Sequence, residues 1–474
     1  MLISISGSSG VGKTTLAQLI CAAIGRESCL QISGDDLHRW ERSDPMWDTY
    51  THLNPVSNDL HTGFSHLCEL IRGNCINRRL YNHETGKFDD PVTLEPKPII
   101  IYEGLHAFYD SSTAELADVR IYVDTDSDLK TEWKLKRDTK KRGYTKSQVL
   151  TTMERRKADE ESFIVPQKDR ADIVVRFIKN RNRNVLMEYV CVTSRGSKLI
   201  HSVKQFYDSL VDFTDVCKWL SLEPSLVQGR GGNVSVKWDG GLIVTSSGSM
   251  MSDVTMSSGY CVCDIVDRCT EYTDEKSYTN KIASRVRYGS GRPSMETGFH
   301  ANKKHRVVVH THPIHVNAIL CSMEVEKVIA SIFKDLSYQF VPYESPGFEL
   351  VNKMSGDCAV VFLQSHGLVV GADSVDEAIE LTEKINNRCK RWLGNHVESF
   401  VQTECNASSV PLFPDAAVFP EEMSATNAYI LHLIQGACLT PNYLSRGDIS
   451  KLLNLNSEIY RKLLHNDSKC ESIL

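Results

Sequence analysis

Apolar positions along this chain fall into two rhythms. Short β-rich runs at 2–6, 98–102, 119–123 and 172–177 alternate with segments of helical period such as 14–24. That alternation predicts a parallel sheet with crossover helices from residue 1 to about 179. The polar, basic stretch Lys179-Asn180-Arg181-Asn182-Arg183-Asn184 interrupts it, and a β-like run follows at 185–193. A second α/β pattern occupies about 199–405, with helices predicted near 203–220 and 375–392 and strands near 242–245 and 307–310. After Pro411 the pattern reads as loop and then helix. These breaks divide the chain into a first domain at 1–180, a linker or connecting strand at 181–198, a second domain at 199–410 and a C-terminal extension at 411–474.

Length agrees with this division, since 474 residues exceed one ordinary domain and suffice for two or three separate cores. Charged residues make up 24% and the formal net charge is −6, so no basic excess points to nucleic acid or to an acidic membrane surface. Any phosphate chemistry must therefore be local. The 15 cysteines are scattered without paired CxxC spacings and read as reduced thiols. The opening strand lacks the marks of a signal peptide, and no run approaches the roughly 18 apolar residues of a membrane span, so a cytoplasmic protein is expected.

Candidate chemistry begins at Gly7-Ser8-Ser9-Gly10-Val11-Gly12-Lys13-Thr14-Thr15, which fits GxxxxGK[ST] between a predicted strand and a predicted helix. In that setting backbone N–H groups converge on phosphate oxygens, the helix N-terminus favours negative charge, Lys13 reaches the β/γ-phosphates and Thr14 ligates Mg²⁺. A nucleotide phosphate site leaves kinase, ATPase and GTPase open. The next strand ends in Ser33-Gly34-Asp35-Asp36-Leu37-His38-Arg39-Trp40-Glu41-Arg42, where a carboxylate could take the proton of an attacking hydroxyl and cations could bind an anionic substrate. Taken alone, this is also how a solvated charged loop reads.

The segments Gly34-Asp35-Asp36-Leu37-His38-Arg39, Tyr81-Asn82-His83, Tyr102-Glu103-Gly104-Leu105-His106 and Trp133-Lys134-Leu135-Lys136-Arg137-Asp138 closely resemble phosphoribulokinase, in the same order. The likeness continues through Arg142-Gly143-Tyr144 and Glu154-Arg155-Arg156-Lys157 to about residue 178, and more loosely includes uridine kinases. It implies Asp35 as catalytic base, His38 and Arg42 as contacts to the substrate phosphate, with His83 alongside. It also implies Glu103 near Mg²⁺, Lys134, Arg137 and Arg142 on a phosphate-closing lid, and Asp138 as a second active-site carboxylate. Arg42 and Tyr81-Asn82-His83 favour a sugar phosphate over a nucleoside as acceptor. Val11 stands where the plant-type enzyme carries a redox-active cysteine, so thiol regulation of that kind is not expected.

In the second zone, Val307-Val308-Val309-His310-Thr311-His312-Pro313 places two histidines at i and i+2 after an apolar run, both on one side of an extended backbone. A third candidate, His366, closes Val360-Val361-Phe362-Leu363-Gln364-Ser365-His366-Gly367. Three imidazoles with an open position describe a catalytic zinc site. Glu296 lies in Arg292-Pro293-Ser294-Met295-Glu296-Thr297, while Gly231-Gly232-Asn233-Val234-Ser235 and Thr245-Ser246-Ser247-Gly248 form turns rich in donors. The ordered set resembles the class II aldolase family over about 200–405. The resemblance implies zinc on His310, His312 and His366, proton transfer by Glu296, and phosphate held by Asn233, Ser247, Gly248 and Ser294. Met295 departs from a second serine of several family aldolases and costs a phosphate donor. His300 and His315 read as supporting or packing histidines.

Together these readings predict an α/β protein with a P-loop kinase domain followed by a class II aldolase-like domain, using ATP, Mg²⁺ and Zn²⁺ on a small-molecule sugar or sugar phosphate. No nucleic-acid or membrane partner is expected, and family resemblance implies a homo-oligomer. Dehydratase, decarboxylase and epimerase chemistry for the second domain, or a non-catalytic adducin-like scaffold, remain alternatives at this point.

Overall fold

Strand β1 (Leu2–Gly7) is buried over its whole length, the signature of a central strand covered on both faces. It feeds α1 (Lys13–Ile24), then β2 (Cys29–Ser33), β3 (Ile99–Glu103), β4 (Val119–Val123), α2 (Ser127–Arg142), α3 (Lys146–Arg155), β5 (Ile173–Lys179) and β6 (Val185–Cys191). The sheet order is β6-β5-β4-β1-β3-β2, with every pair parallel except β5 and β6. The run at 185–191 is thus an antiparallel edge strand of the first sheet. In the computed structural model, the description covers residues 1–82, 84–180, 185–264, 274–289, 291–354, 357–394 and 410–471, with residues 141 and 466–471 as backbone only. The chain separates into units Met1–Asp208 and Ser209–Leu474.

The elements that follow are α4 (Ser197–Ser221), β7 (Asn233–Trp238), β8 (Gly241–Thr245), β9 (Tyr260–Cys263), β10 (Val286–Gly289), α5 (Thr297–Asn302), β11 (Val307–Thr311), α6 (Ile314–Leu320), β12 (Gln339–Val341), β13 (Val360–Leu363), β14 (Gly367–Ala372) and α7 (Val375–Leu393). Their strands form one sheet, β10-β9-β8-β7-β11-β14-β13-β12, antiparallel except for β12 with β13. Helix α7 shows how local sequence seats an element here. Ser374 caps it by accepting from the Glu377 amide, acidic residues fill its first turn and basic ones its last. Ala378, Thr382, Ile385, Cys389 and Leu393 give it one buried face.

Beyond residue 410 lie α8 (Pro414–Val418), α9 (Pro420–Gly436) and α10 (Asn456–Glu471). Leu412, Phe413, Ala416, Val418, Ile430 and Leu433 share one core cluster with Val316 and Ile319 of α6, Phe362, Leu368 and Ile385. The segment that sequence set apart as a C-terminal extension therefore packs into the core of the second unit. Its apolar positions bury a face of α6 and α7. Among the described residues no helix is long and apolar enough to cross a membrane.

Candidate active sites

In the first unit the β1–α1 loop brings Gly7, Ser8, Ser9, Gly10, Val11 and Gly12 to the end of the sheet. Lys13 Nζ donates to the carbonyls of Gly7 and Ser8, at 3.0 Å each. Desolvation lowers the pKa of Lys13, against the opposing pull of Glu103 and Asp35. Thr14 Oγ1 donates to Glu103 Oε1 at 2.9 Å, which sets a hydroxyl and a carboxylate side by side at the loop, hard oxygen donors of the kind Mg²⁺ takes. Burial raises the Glu103 pKa. Thr15 is exposed on the first turn of α1.

A cavity beside this loop gathers Ser9, Asp35, His38, Arg42, His52, Tyr81, Arg137, Asp138, Arg142 and Arg156. Four arginines there face two carboxylates, an excess of positive charge that favours an anionic ligand. The two neighbouring aspartates have separate tasks. Asp36 accepts from the Tyr81 amide at 2.9 Å and pairs with Arg78 at 3.4 Å, whereas Asp35 lines the cavity. His38 donates from Nδ1 to Asn58 Oδ1 at 2.9 Å, which leaves Nε2 as its free nitrogen.

Helix α2 supplies the basic cluster: Lys134 and Arg142 flank Asp138 at one turn on either side, 3.7 and 3.5 Å away, and the adjacent Arg137 lies 2.8 Å from it. Burial opposes the Asp138 charge, yet Arg137, Lys134 and Arg142 outweigh it and hold the carboxyl below its usual range. Lys134 Nζ reaches Ser9 Oγ at 3.0 Å. Burial, reinforced by the Arg156 charge, pulls the Lys134 pKa down to about 7. Arg156 donates to His52 Nδ1 at 2.9 Å. Burial and Arg156 push the pKa of His52 down to about 2, so it is neutral.

In the second unit the sheet register assembles the site. β11 lies between β7 and β14, with Asn233 directly opposite His310 and His310 opposite Val369. His366 immediately precedes β14, turned by Ser365 at φ 50°, a left-handed conformation uncommon outside glycine. Gly367 is required by close approach. A Cβ there would lie 2.4 Å from the Thr311 carbonyl, 2.9 Å from His312 and 3.1 Å from His310.

One ligand atom from each of His310, His312 and His366 lies within 4.8 Å of the others, and all three residues are buried. His310 donates from Nδ1 to the Leu368 carbonyl at 3.1 Å, which frees Nε2 as a lone-pair donor. His310 Nε2 and His312 Nε2 stand 3.1 Å apart. Two nitrogens bound tetrahedrally to one zinc ion are separated by about 3.3 Å, so the imidazoles fit such an ion. His366 Nδ1 is buried without a hydrogen-bond partner. Burial lowers the pKa of both His310 and His366 to about 3, which keeps them neutral, the form that binds metal.

Glu296 sits against this cluster, with Oε2 3.5 Å from His310 Nε2 and Oε1 3.4 Å from His366 Nε2. Asn233 Nδ2 donates to Glu296 Oε2 at 2.7 Å, and Asn233 Oδ1 accepts from His300 Nε2, whose Nδ1 meets Ser235 Oγ at 2.8 Å. A relay from Ser235 through His300 and Asn233 thus fixes the carboxylate. The same pocket is lined by Ser247, Gly248, Ser294, Met295, His312 and His366.

Most sequence-predicted residues therefore converge on two cavities, with some differences in task. Asn233 spends its side chain on Glu296 and His300, so its amide is committed to the carboxylate. His83 lies outside the described residues. His315 packs against Asn386 at 3.2 Å, away from the histidine cluster. Sequence reasoning gave no role to His52 or Arg156, although Arg156 belongs to the run Glu154-Arg155-Arg156-Lys157. It also passed over Arg230, Asp415, Glu458 and Arg461, all of which line the second pocket. Only the neighbouring glycine turn could have marked Arg230, and no spacing ties the other three to the histidines. Burial works against the Asp415 charge, but Arg461 and His312 hold the carboxyl well below its usual range.

Comparison with known proteins agrees with the two-unit geometry. Residues 2–183 match the Phosphoribulokinase / Uridine kinase family, and residues 211–393 match the Class II Aldolase and Adducin N-terminal domain. A phosphoribulokinase from Synechocystis sp. is 35% identical over 181 residues, 38% of this chain and 54% of that protein. A uridine kinase from Clostridium perfringens is 33% identical over 181 residues, 37% of this chain and 86% of that protein. The chain spans about half the length of the phosphoribulokinases it matches. Among solved structures, the N-terminal class II aldolase domain of a conserved protein from Thermoplasma acidophilum is similar at 24% identity and a TM-score of 0.34, covering 38% of this chain and 92% of that one.

Proposed function

We propose that this chain, which belongs to the phosphoribulokinase/uridine kinase family through residues 2–183 and carries a class II aldolase and adducin N-terminal domain over residues 211–393, is a bifunctional sugar-phosphate enzyme. Its first site transfers phosphate from ATP to a sugar or sugar phosphate, and its second cleaves a ketose phosphate. The observation that supports this reading best is the cavity joining the P-loop to Asp35, Arg42, Arg137, Arg142 and Arg156, a carboxylate base facing a cationic wall.

In the first site the loop amides and Lys13 hold the nucleotide phosphates. Thr14 and Glu103 would hold Mg²⁺, which neutralises phosphate charge when bound. Asp35 accepts the proton of the attacking hydroxyl as that oxygen bonds to the γ-phosphorus and the bond to the bridging oxygen of ADP breaks. Lys134, Arg137 and Arg142 offset the charge on the transferring group. His38, Arg42 and Arg156 hold an anionic acceptor.

In the second site His310, His312 and His366 would hold zinc, which acts as a Lewis acid toward substrate oxygens when bound. Glu296, fixed by Asn233, moves a proton at the carbon beside the carbonyl. Ser247, Gly248 and Ser294 face the substrate phosphate, with Arg230 adding positive charge where Met295 removes a hydroxyl. The two reactions are chemically compatible. Phosphorylation at C1 of a 2-ketose gives a ketose 1-phosphate, and cleavage between C3 and C4 of such a compound gives dihydroxyacetone phosphate and an aldehyde.

Incubating the protein with ATP, Mg²⁺ and a panel of pentose, hexose and deoxy-sugar ketoses and their phosphates, read by mass spectrometry, tests the kinase reading. The expected result is one phosphorylated sugar formed in step with ADP. Formation of ADP without any new sugar phosphate across the panel would contradict it.

A further inference from the structure

The second pocket contains a buried charged network that joins His312 to Asp415, Glu458 and Arg461 of the C-terminal helices and to the Arg230 backbone before β7. His312 Nδ1 lies 3.0 Å from Asp415 Oδ2. Asp415 Oδ1 accepts from Arg461 Nη2 at 2.9 Å, and Arg461 Nη1 reaches both carboxylate oxygens of Glu458 at 2.9 and 3.0 Å. Arg461 also donates to the Arg230 carbonyl at 3.3 Å. The side chains of Asp415 and Glu458 are 4% and 1% exposed, so water does not stand in for these contacts.

Two features tie the network to the histidines rather than to general packing. First, a carboxylate on one imidazole nitrogen fixes the tautomer and plane of the ring and leaves the opposite nitrogen as the lone-pair donor, which for His312 is the Nε2 facing His310. Second, the backbone makes room for the pair. A Cβ on Gly231 would lie 2.6 Å from Asp415 Oδ2 and 2.7 Å from His312 Nδ1, so glycine at 231 is what allows the two side chains to meet.

We propose that the C-terminal helices complete the metal site: Asp415 on α8 positions His312, and Arg461 with Glu458 on α10 lock Asp415 in place. Asp415, Arg461 and Glu458 are positioning residues. The inference rests on the reading of His310, His312 and His366 as zinc ligands. Its consequence is that metal affinity depends on a helix more than ninety residues beyond the last ligand.

The test is competitive titration of zinc against a chromophoric chelator on the full-length apo-protein, with cobalt substitution to read the ligand field. Wild type, Asp415→Asn, Arg461→Met and Gly231→Ala are compared, and kinase turnover of each sample confirms an intact chain. Loss of a carboxylate partner to a metal-bound histidine typically weakens binding 10–100-fold, about the loss expected for Asp415→Asn and Arg461→Met. The cobalt spectrum should shift in both. Gly231→Ala keeps every charge and crowds the contact most closely, with the Gln228 carbonyl next at 3.1 Å, so it should move affinity and spectrum in the same direction even if Arg461→Met fails to fold. Variants that bind zinc as wild type does, with an unchanged cobalt spectrum, would overturn the proposal. If wild type itself binds no zinc, the zinc-site reading fails as well, a result distinguishable from the first.

Discussion

Lys134 offers a quantitative test of the first site, because its environment makes its charge depend on what is bound. Its ammonium is buried among Arg137, Arg142 and Arg156, lies 3.0 Å from the Ser9 hydroxyl of the P-loop, and has its pKa pulled down to about 7 from an ordinary 10.5. At pH 8 such a group is only about 10% protonated. Asp138 at 3.7 Å offsets only part of this, so a polyphosphate entering the P-loop adds the counter-charge that returns the pKa toward its ordinary value, and binding at pH 8 takes up about 0.8–0.9 proton at this residue. At pH 6 Lys134 is already about 90% charged and the uptake falls to about 0.1 proton. Calorimetric titration with a non-hydrolysable ATP analogue and Mg²⁺, in buffers of different ionisation enthalpy, gives the uptake directly. Proton release by the ligand cancels when Lys134→Met is subtracted from wild type. Equal uptake in the two proteins at pH 8 would refute the assignment. The same shift bears on stability. The folded state holds fewer protons at Lys134 than the unfolded state between about pH 7 and 10.5, so the contribution of this group to stability rises with pH through that window.

Further outcomes follow from the separation of the two sites. Lys13→Ala and Asp35→Asn should each lower phosphoryl transfer by about 10²–10⁴-fold while cleavage of a supplied ketose phosphate changes less than twofold, measured by separate coupled assays. Chelation, or His310→Ala, should abolish the second activity and leave kinase turnover intact once Mg²⁺ is restored, and full cleavage by verified metal-free protein would argue against the zinc reading. Glu296→Gln should retain stoichiometric zinc by elemental analysis yet stop solvent deuterium exchange at the carbon beside the carbonyl.

Much of this organisation was legible in the sequence because the relevant signals are local. The P-loop sits between a strand and a helix, and the HxH pair closes an apolar run; both motifs carry their geometry with them. Their convergence with Asp35 or Glu296 could be inferred only through resemblance, since the sheet register that sets Asn233 opposite His310 is not written in either strand alone. Asp415, Glu458 and Arg461 were illegible for a related reason. In sequence they are ordinary polar positions, and only the fold, which sets Asp415 against His312 and Arg461 between Asp415 and Glu458, gives them a task. The tail after Pro411 read only as loop and then helix, and nothing in that local pattern shows that its apolar positions fill the second core. Asn233 shows what a turn motif leaves out: the donor-rich turn suggests phosphate, and only the fold shows that its side-chain amide also donates to Glu296.

On the proposed function, one chain phosphorylates a sugar and then cleaves a sugar phosphate at a second site. The most direct measurement is an end-point product analysis by mass spectrometry with ATP, Mg²⁺, Zn²⁺ and candidate ketoses, comparing wild type, Asp35→Asn and Glu296→Gln. Triose phosphate is expected from wild type, accumulation of the C1-phosphorylated ketose with Glu296→Gln, and neither product from an unphosphorylated ketose with Asp35→Asn. A phosphorylated ketose that accumulates equally in wild type and Glu296→Gln, with no triose phosphate from any ketose, would contradict the proposed function.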